Sequence, residues 1–245
     1  MKDNMYQNKY GKMTKDNEKK IGKILRKVTK TVLSILIMLV VIFGSAGTLF
    51  WMEAWILIFL FLLYVTFFAL WLRKINPELL KERTSRKNEG KHWDKIILSI
   101  YTLLLFCMLI VCGFDAVRFE WTQMPFVLKL IGFVGYIPAV ILVFLTAKEN
   151  AYLSEVVRIQ DDRSHQVVKT GLYKYIRHPM YLAVIIFVVS TPLALGSFFG
   201  LFFSGLIGII FMIRTHLEEK TLQKELAGYE EYMKEVKYRL FPGIW

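Results

Sequence analysis

Long runs of apolar residues, separated by short polar segments, dominate the chain. Six such runs occupy residues 32–50, 54–72, 96–114, 126–146, 181–195 and 197–213. A helix needs about 20 apolar residues to cross the hydrocarbon core of a bilayer, and about 17 is the usual lower limit. The first four runs therefore predict membrane-spanning helices. The last two are short, and we expect them to form a tight hairpin that folds at residues 195–197.

This pattern predicts an all-α fold, a polytopic membrane helix bundle of about six transmembrane helices. The number falls to five if the last hairpin is re-entrant and never reaches the outer face. Composition supports the membrane class, because 55% of the residues are apolar and the mean hydropathy is +0.42. Such values do not suit the surface of a soluble protein.

The distribution of positive charge predicts the orientation of the bundle. A six-span topology that starts inside places 30 of the 32 Lys and Arg residues in four cytoplasmic segments, residues 1–31, 73–95, 147–180 and 214–245. Cytoplasmic loops carry such an excess of Lys and Arg. We therefore expect both termini in the cytoplasm and residues 120–122 outside. The net charge of +12 is then a topology signal, which argues against nucleic acid as a partner.

Two features outside the spans add little chemistry. Residues 1–30 hold ten Lys or Arg and predict a basic cytoplasmic tail, disordered and able to touch anionic lipid. Cys107 and Cys112 lie five residues apart in the third run and point in different directions on a helix. This spacing argues against an internal disulfide or a metal pair, so no metal site is expected.

A helix-start signal follows the third cytoplasmic segment, at Arg177-His178-Pro179. Proline suits the first turn of a helix and disfavours the α conformation of the residue before it, so His178 should cap the fifth span. Unpaired N–H groups and the helix dipole attract anions to such a terminus, and Arg177 adds a full charge. The corner therefore predicts an anion site, although a boundary arginine beside a capping histidine would give the same pattern.

Paired carboxylates at the far end of the hairpin, Glu218 and Glu219, are the second candidate feature. Adjacent carboxylates at a membrane boundary need a partner or a role, because burial and mutual repulsion disfavour both charges. Arg214 could form an i,i+4 ion pair with Glu218, which leaves Glu219 as the better ligand candidate. We further expect a Tyr-bearing tail helix, ended by Pro242 and Gly243, to lie over these boundary residues as a lid or at the membrane interface.

Three motifs in this region resemble those of one family. They are G-L-Y-K-Y-I-R-H-P-M-Y at 171–181, E-E-K-T-L at 218–222, and G-Y-E-E-Y ahead of R-L-F-P-G. Through them the chain, over residues 150–245, resembles the isoprenylcysteine carboxyl methyltransferase and phospholipid methyltransferase superfamily of integral membrane enzymes. The long basic N-terminal tail departs from that family, as does Leu172, where many members have proline.

The resemblance implies a function and a site. It implies S-adenosyl-L-methionine as cofactor and a lipid-like substrate that enters from the membrane. Together with the apolar runs, it divides the chain into the basic tail (1–30), a four-helix membrane region (31–146) and a cofactor-binding methyltransferase region (147–245). The cofactor-binding residues it implies are Tyr173, His178, Pro179, Met180, Tyr181, Glu218 and Glu219, and the catalytic candidates are Arg158, Arg177 and Glu219. Asn150, Gln160 and His165 also resemble positions of bacterial members, which favours a bacterial cytoplasmic membrane.

The sequence leaves the methyl acceptor and two rival functions open. A substrate carboxylate is ionised at pH 7 and needs only orientation by Arg158 or Arg177, whereas an amine of pKa about 10 needs a base such as Glu219, His165 or His178. A prenylcysteine, a phospholipid headgroup or another isoprenoid acid would each fit. The alternatives are an NADPH-dependent membrane reductase of a sterol-like or enone double bond, and a non-catalytic membrane protein.

Overall fold

The structure, a computed structural model, describes residue 29, residues 31–85 and residues 89–245. Most of the predicted basic tail, residues 1–28 and 30, therefore lies outside the described residues. Eight α-helices are described: α1 (Thr31–Ala46), α2 (Met52–Ile75), α3 (Pro77–Ser85), α4 (His92–Gly113), α5 (Phe126–Glu149), α6 (Pro179–Leu195), α7 (Phe198–Glu225) and α8 (Tyr229–Glu235). The described residues contain no strand, so the predicted all-α bundle is confirmed.

Each of the six apolar runs lies in its own helix. Four helices, α2, α4 with its π-helical end, α5 and α7, are long and apolar enough to span a membrane, and α1 and α6 are shorter apolar helices. Two predicted lengths were wrong. The helix formed by the first run ends at Ala46 rather than at residue 50, because Gly47 adopts the left-handed conformation with φ of +72°. The last helix is not short, since α7 continues for 28 residues, about 42 Å at 1.5 Å per residue.

The hairpin between α6 and α7 folds where the sequence predicts. Gly196 takes the left-handed conformation with φ of +85°, and Ser197 caps α7 by accepting a hydrogen bond from the Gly200 N–H. Its turn reaches the loop predicted to lie outside. Asp115, in the π-helical end of α4, is fully buried and accepts hydrogen bonds from the Ser197 hydroxyl (2.6 Å) and the Phe199 N–H (3.2 Å).

The helices pack around a core to which all six apolar helices contribute. Outward-facing side chains of α1, α2 and α5 remain apolar and exposed, as expected of surfaces that contact lipid. Close contact between α5 and α6 depends on a glycine. A Cβ at Gly132 would lie 2.3 Å from the Ala194 backbone nitrogen, so only glycine allows this helix spacing.

A polar cap lies below the apolar helices, on the side predicted to be cytoplasmic. It comprises α3, the segment 150–178, the last turns of α7, α8 and the C-terminal segment 236–245. A second apolar cluster holds part of this cap together, formed by Tyr173, Leu226, Tyr229, Tyr232 and Val236. The cap therefore closes over the Arg177-His178-Pro179 corner and the end of α7.

Candidate active site

The Arg177-His178-Pro179 corner has the predicted local geometry. Pro179 occupies the first turn of α6, and His178 is its N-cap with φ of −126° and ψ of 61°. The backbone N–H groups of Arg177 and His178 are not available to a ligand, however. They donate to the carbonyl oxygens of Tyr238 (3.0 Å) and Arg239 (2.9 Å), so the C-terminal segment pairs with the corner.

That pairing explains a third error in the sequence prediction, the position at which the tail helix ends. The tail helix α8 ends at Glu235, well before Pro242 and Gly243. Beyond it the chain extends along the corner, and Leu240 is fully buried in the main core. The position of the tail is thus set by its backbone hydrogen bonds to the corner and by the burial of Leu240, and not by a proline that ends the helix.

Glu219 has the partners that the sequence did not predict. Its side chain is buried and accepts hydrogen bonds from the guanidinium groups of Arg177 and Arg239. His178 Nε2 lies 3.3 Å from the same carboxylate. The carboxylate lies against the corner and does not line the large cavity described below.

Glu218 points the other way along α7, toward that cavity. Its carboxylate accepts a hydrogen bond from the Tyr181 hydroxyl and lies 3.6 Å from His178 Nδ1. The ring of His178 stacks on that of Tyr181, with centroids 5.4 Å apart. Glu218, His178 and Tyr181 therefore form one polar wall of the cavity.

Arg214 does not form the i,i+4 ion pair with Glu218 that the sequence suggests. Its Nε donates to Asp94 Oδ1 (2.8 Å), and its Nη2 donates to the Glu155 carbonyl (2.9 Å). Asp94 is fully buried in α4 and also accepts from the Val157 N–H. The guanidinium lies 5.0 Å from the Tyr181 ring centroid and lines the cavity. The sequence alone assigned Arg214 no role at the site, because its partner Asp94 lies 120 positions earlier in the chain.

Arg158 is held by carboxylates. Its Nε and Nη2 donate to Glu82 of α3 at 2.8 and 2.9 Å, and Nη1 lies 3.2 Å from Asp162. It reaches the cavity edge, but its donors are already directed at these acids. The guanidinium therefore joins α3 to the segment 150–178.

A cavity of about 780 Å³ lies between these groups. Of the predicted site residues, seven line it: Arg158, Tyr173, Arg177, His178, Met180, Tyr181 and Glu218. Pro179 and Glu219 do not. One end is formed by cap residues such as Tyr229, and the other by the membrane-helix residues Phe61, Thr102 and Val184. The cavity thus extends from the polar cap to the apolar helices.

Two polar groups at the cap end differ from their neighbours. Tyr229 lines the cavity, and its hydroxyl is buried without a hydrogen-bond partner among the described residues. Burial raises the pKa of Tyr229, so the hydroxyl stays protonated and can donate. The pKa of His165 is shifted in the other direction: burial, followed by the positive charges of Arg158 and Arg163, lowers it to about 4. Its Nδ1 already accepts a hydrogen bond from the Gln160 N–H.

Comparison with known proteins identifies the part of the chain that carries this site. Residues 130–224 match the family described as "Isoprenylcysteine carboxyl methyltransferase (ICMT) family". A similar protein is the protein-S-isoprenylcysteine O-methyltransferase of Schizosaccharomyces pombe, 34% identical over 85 residues. That alignment covers 34% of this chain and 36% of the yeast protein.

The matched region runs from α5 into α7. It begins earlier than the predicted residue 150 and stops before α8 and the C-terminal segment. It contains the Arg177-His178-Pro179 corner, the hairpin and both carboxylates at the end of α7. The resemblance predicted from the sequence is therefore confirmed, and residues 130–224 carry the pattern of the isoprenylcysteine carboxyl methyltransferase family.

Proposed function

We propose that the protein is an integral membrane methyltransferase, which moves a methyl group from S-adenosylmethionine to the carboxylate of a lipid-like substrate. The observation that carries the proposal is the 780 Å³ cavity, which joins a polar cap to lipid-contacting helices. A water-soluble donor and a lipid-dissolved acceptor could meet there without either entering the wrong phase. We further propose that the protein lies in a bacterial cytoplasmic membrane, with the cap on the cytoplasmic side.

The cap end of the cavity fits such a cofactor. The unpartnered Tyr229 hydroxyl is a buried donor, and buried polar groups without a partner are rare in native structures. Apolar side chains of Leu222 and Leu226 lie beside it and suit a purine ring. We expect Tyr229, with Tyr173 and His178, to hold the nucleoside part of the cofactor.

The polar wall has charges that suit the reacting groups. When bound, S-adenosylmethionine supplies a methyl group on a positively charged sulfur. The Glu218 carboxylate can hold that charge near the wall, and Arg214 on the preceding turn of α7 can orient a substrate carboxylate toward it. Residues four apart on a helix are separated by about 6 Å along its axis. Orientation of this kind and exclusion of water would supply most of the rate acceleration.

The site favours a carboxylate over an amine as acceptor. An ammonium group of pKa about 10 must lose a proton before it can react, so the site would need a base. Glu219 already accepts from two guanidinium groups, and the lowered pKa of His165, about 4, makes it a weak base. A carboxylate needs no base, only a cation to orient it. Arg214 lines the cavity, and unlike Arg158 it keeps one nitrogen, Nη1, that donates to no group among the described residues.

Two measurements on the purified full chain in detergent test the proposal. The first is thermal unfolding with added nucleotide, because a ligand that binds only the folded state raises the midpoint. S-adenosylmethionine should raise it and NADPH should not. Protection by NADPH alone would instead support a membrane reductase, and protection by neither would support a non-catalytic protein.

The second measurement follows the methyl group. Incubation with radiolabelled S-adenosylmethionine and a farnesylated cysteine or total membrane lipid should move label into the organic phase. Methyl esters release their label as volatile methanol in base, whereas N-methyl groups do not, so alkaline treatment distinguishes a carboxylate from an amine acceptor. Label found only in water-soluble products would contradict a lipid-like substrate.

A further inference from the structure

The face of α7 that points away from the cavity has its own pattern. Its exposed positions follow one helical stripe, formed by Phe202, Gly205, Ile209, Met212, His216, Lys220 and Gln223. The stripe is apolar as far as Met212 and polar from His216. It therefore changes character at the level where α7 leaves the apolar bundle.

A second pocket lies at the polar end of this stripe. It has a volume of about 280 Å³ and is lined by His216, Glu219, Lys220, Gln223, Met233 and Arg239. None of these residues lines the large cavity. Because Glu218 and Arg214 face that cavity from the same helix, α7 separates the two sites.

The charges around the pocket favour an anion. The negative charge of Glu219 is already shared between Arg177 and Arg239. Lys220 is exposed and forms no ion pair within the part of the chain that the structure describes. Arg239 uses its Nε for Glu219, so its terminal nitrogens remain to donate. The pocket therefore has a net positive charge, and His216, Lys220 and Arg239 can donate to an anion there, whereas the Gln223 amide already donates to Met233.

The depth of the pocket matches lipid headgroups. His216 and Lys220 lie about 4.5 and about 10.5 Å beyond Ile213 along the helix axis, at about 1.5 Å per residue. The headgroup layer extends about 5 to 7 Å beyond the hydrocarbon core, and a lysine side chain can reach back toward it. Above the pocket, a Cβ at Gly205 or Gly208 would meet nothing within 4 Å, so the apolar stripe is open to an acyl chain.

We propose that an anionic phospholipid binds on this outer face of α7, with its phosphate in the pocket and an acyl chain along the apolar stripe. Basic pockets at the cytoplasmic ends of membrane helices bind such headgroups. The site is separate from the methyl-transfer cavity and does not depend on the proposed function. Two of its lining residues touch the Arg177-His178-Pro179 corner: Glu219 accepts a hydrogen bond from Arg177, and the Arg239 carbonyl accepts one from the His178 N–H.

Lipid titration of the purified full chain tests this site. The protein in neutral detergent is titrated with phosphatidylglycerol or phosphatidylcholine of identical acyl chains, and bound lipid is counted by native mass spectrometry. We expect phosphatidylglycerol to bind at least about fivefold more tightly, since one basic residue near anionic lipid contributes about 1 kcal/mol. Lys220→Gln should weaken phosphatidylglycerol binding about fivefold, and Lys220→Arg should retain it.

Lys224→Gln is the matched control. It removes the same charge one turn further along α7, from an exposed residue that does not line the pocket, and should leave the affinity unchanged. Equal binding of the two lipids, or equal losses in Lys220→Gln and Lys224→Gln, would overturn the proposal. Inorganic phosphate is the probe for a free anion. If it displaces phosphatidylglycerol at micromolar concentration, the pocket is a soluble-anion site and the lipid assignment is wrong.

Discussion

Glu218 and Glu219 have different surroundings although they are neighbours in sequence. Consecutive residues on an α-helix point about 100° apart, so Glu219 turns toward Arg177 and Arg239 while Glu218 faces the cavity. Held between two guanidinium groups, the Glu219 carboxylate balances their charge and so stabilises the fold. Its removal would leave buried positive charge without compensation, at a cost of about 3–5 kcal/mol. Glu218 is therefore the better candidate for contact with a ligand.

The unpartnered hydroxyl of Tyr229 gives the sharpest prediction for a single residue. Tyr229→Phe removes a buried donor that has no partner among the described residues, so the free energy of unfolding without ligand should stay the same or rise slightly. Affinity for S-adenosylmethionine, measured by isothermal titration calorimetry, should fall about three- to tenfold, as expected for the loss of one hydrogen bond of about 1 kcal/mol.

Tyr232→Phe is the matched control for that variant. The Tyr232 hydroxyl donates to the Tyr173 carbonyl at 2.7 Å, and its loss leaves a buried carbonyl unsatisfied. This variant should lower the free energy of unfolding by about 1–3 kcal/mol. An unchanged affinity in Tyr229→Phe would remove Tyr229 from the cofactor site.

At the scale of whole helices, the close approach of α5 and α6 positions the corner. α6 begins at the Arg177-His178-Pro179 corner and ends against α5, where Gly132 faces the backbone of Leu193 and Ala194. Asp94 and Arg214 join α4 to α7 on the other side of the cavity. A buried ion pair therefore joins the two helices α4 and α7 that line the cavity, and α6, which also lines it, is held against α5 by a contact that needs glycine.

We expect Gly132→Ala to be destabilising. The new methyl group would meet the α6 backbone at 2.3 to 2.7 Å, and because backbone atoms cannot rotate away, the helices must separate, at a cost of about 1–3 kcal/mol. Gly208→Ala is the control, since a Cβ there meets open space and should stabilise the helix by about 0.5–1 kcal/mol. Thermal unfolding of both variants in one detergent checks this, and equal midpoints would contradict the packing argument.

For the molecule as a whole, the orientation in the membrane decides which partners reach the site. The cap, the corner and both pockets lie on the side that the Lys and Arg distribution assigns to the cytoplasm. The opposite side holds the turn at Gly196 and the aromatic residues Phe119 and Trp121, both exposed, as is common at a membrane interface. A cytoplasmic cofactor could then enter the cap directly.

Cysteine labelling tests this orientation. With Cys107 and Cys112 replaced by alanine, a cysteine at the exposed Gln123 should react with a membrane-impermeant maleimide added to intact cells. A cysteine at the exposed Lys224 should react only after the membrane is opened. The reverse pattern would contradict the topology and would place the site on the wrong side for a cytoplasmic cofactor.

The sequence by itself determined the elements of this protein. Apolar runs of 15 to 21 residues leave few alternatives in a membrane, because every backbone group must be paired within its own helix. Pro179 and Gly196 set local backbone geometry through their own covalent structure, so the start of α6 and the hairpin turn were predictable. The motifs of residues 171–181 and 218–222 similarly identified the family that residues 130–224 match.

Only the tertiary structure decided which polar groups meet. Arg214 pairs with Asp94, Arg158 with Glu82, and Glu219 with Arg177 and Arg239. A sequence pattern reports neighbours three or four positions apart on one helix, whereas these partners are 20 to 120 residues apart. The choice between them depends on how the helices pack. That packing left Glu218 rather than Glu219 in the cavity and drew the C-terminal segment across the corner.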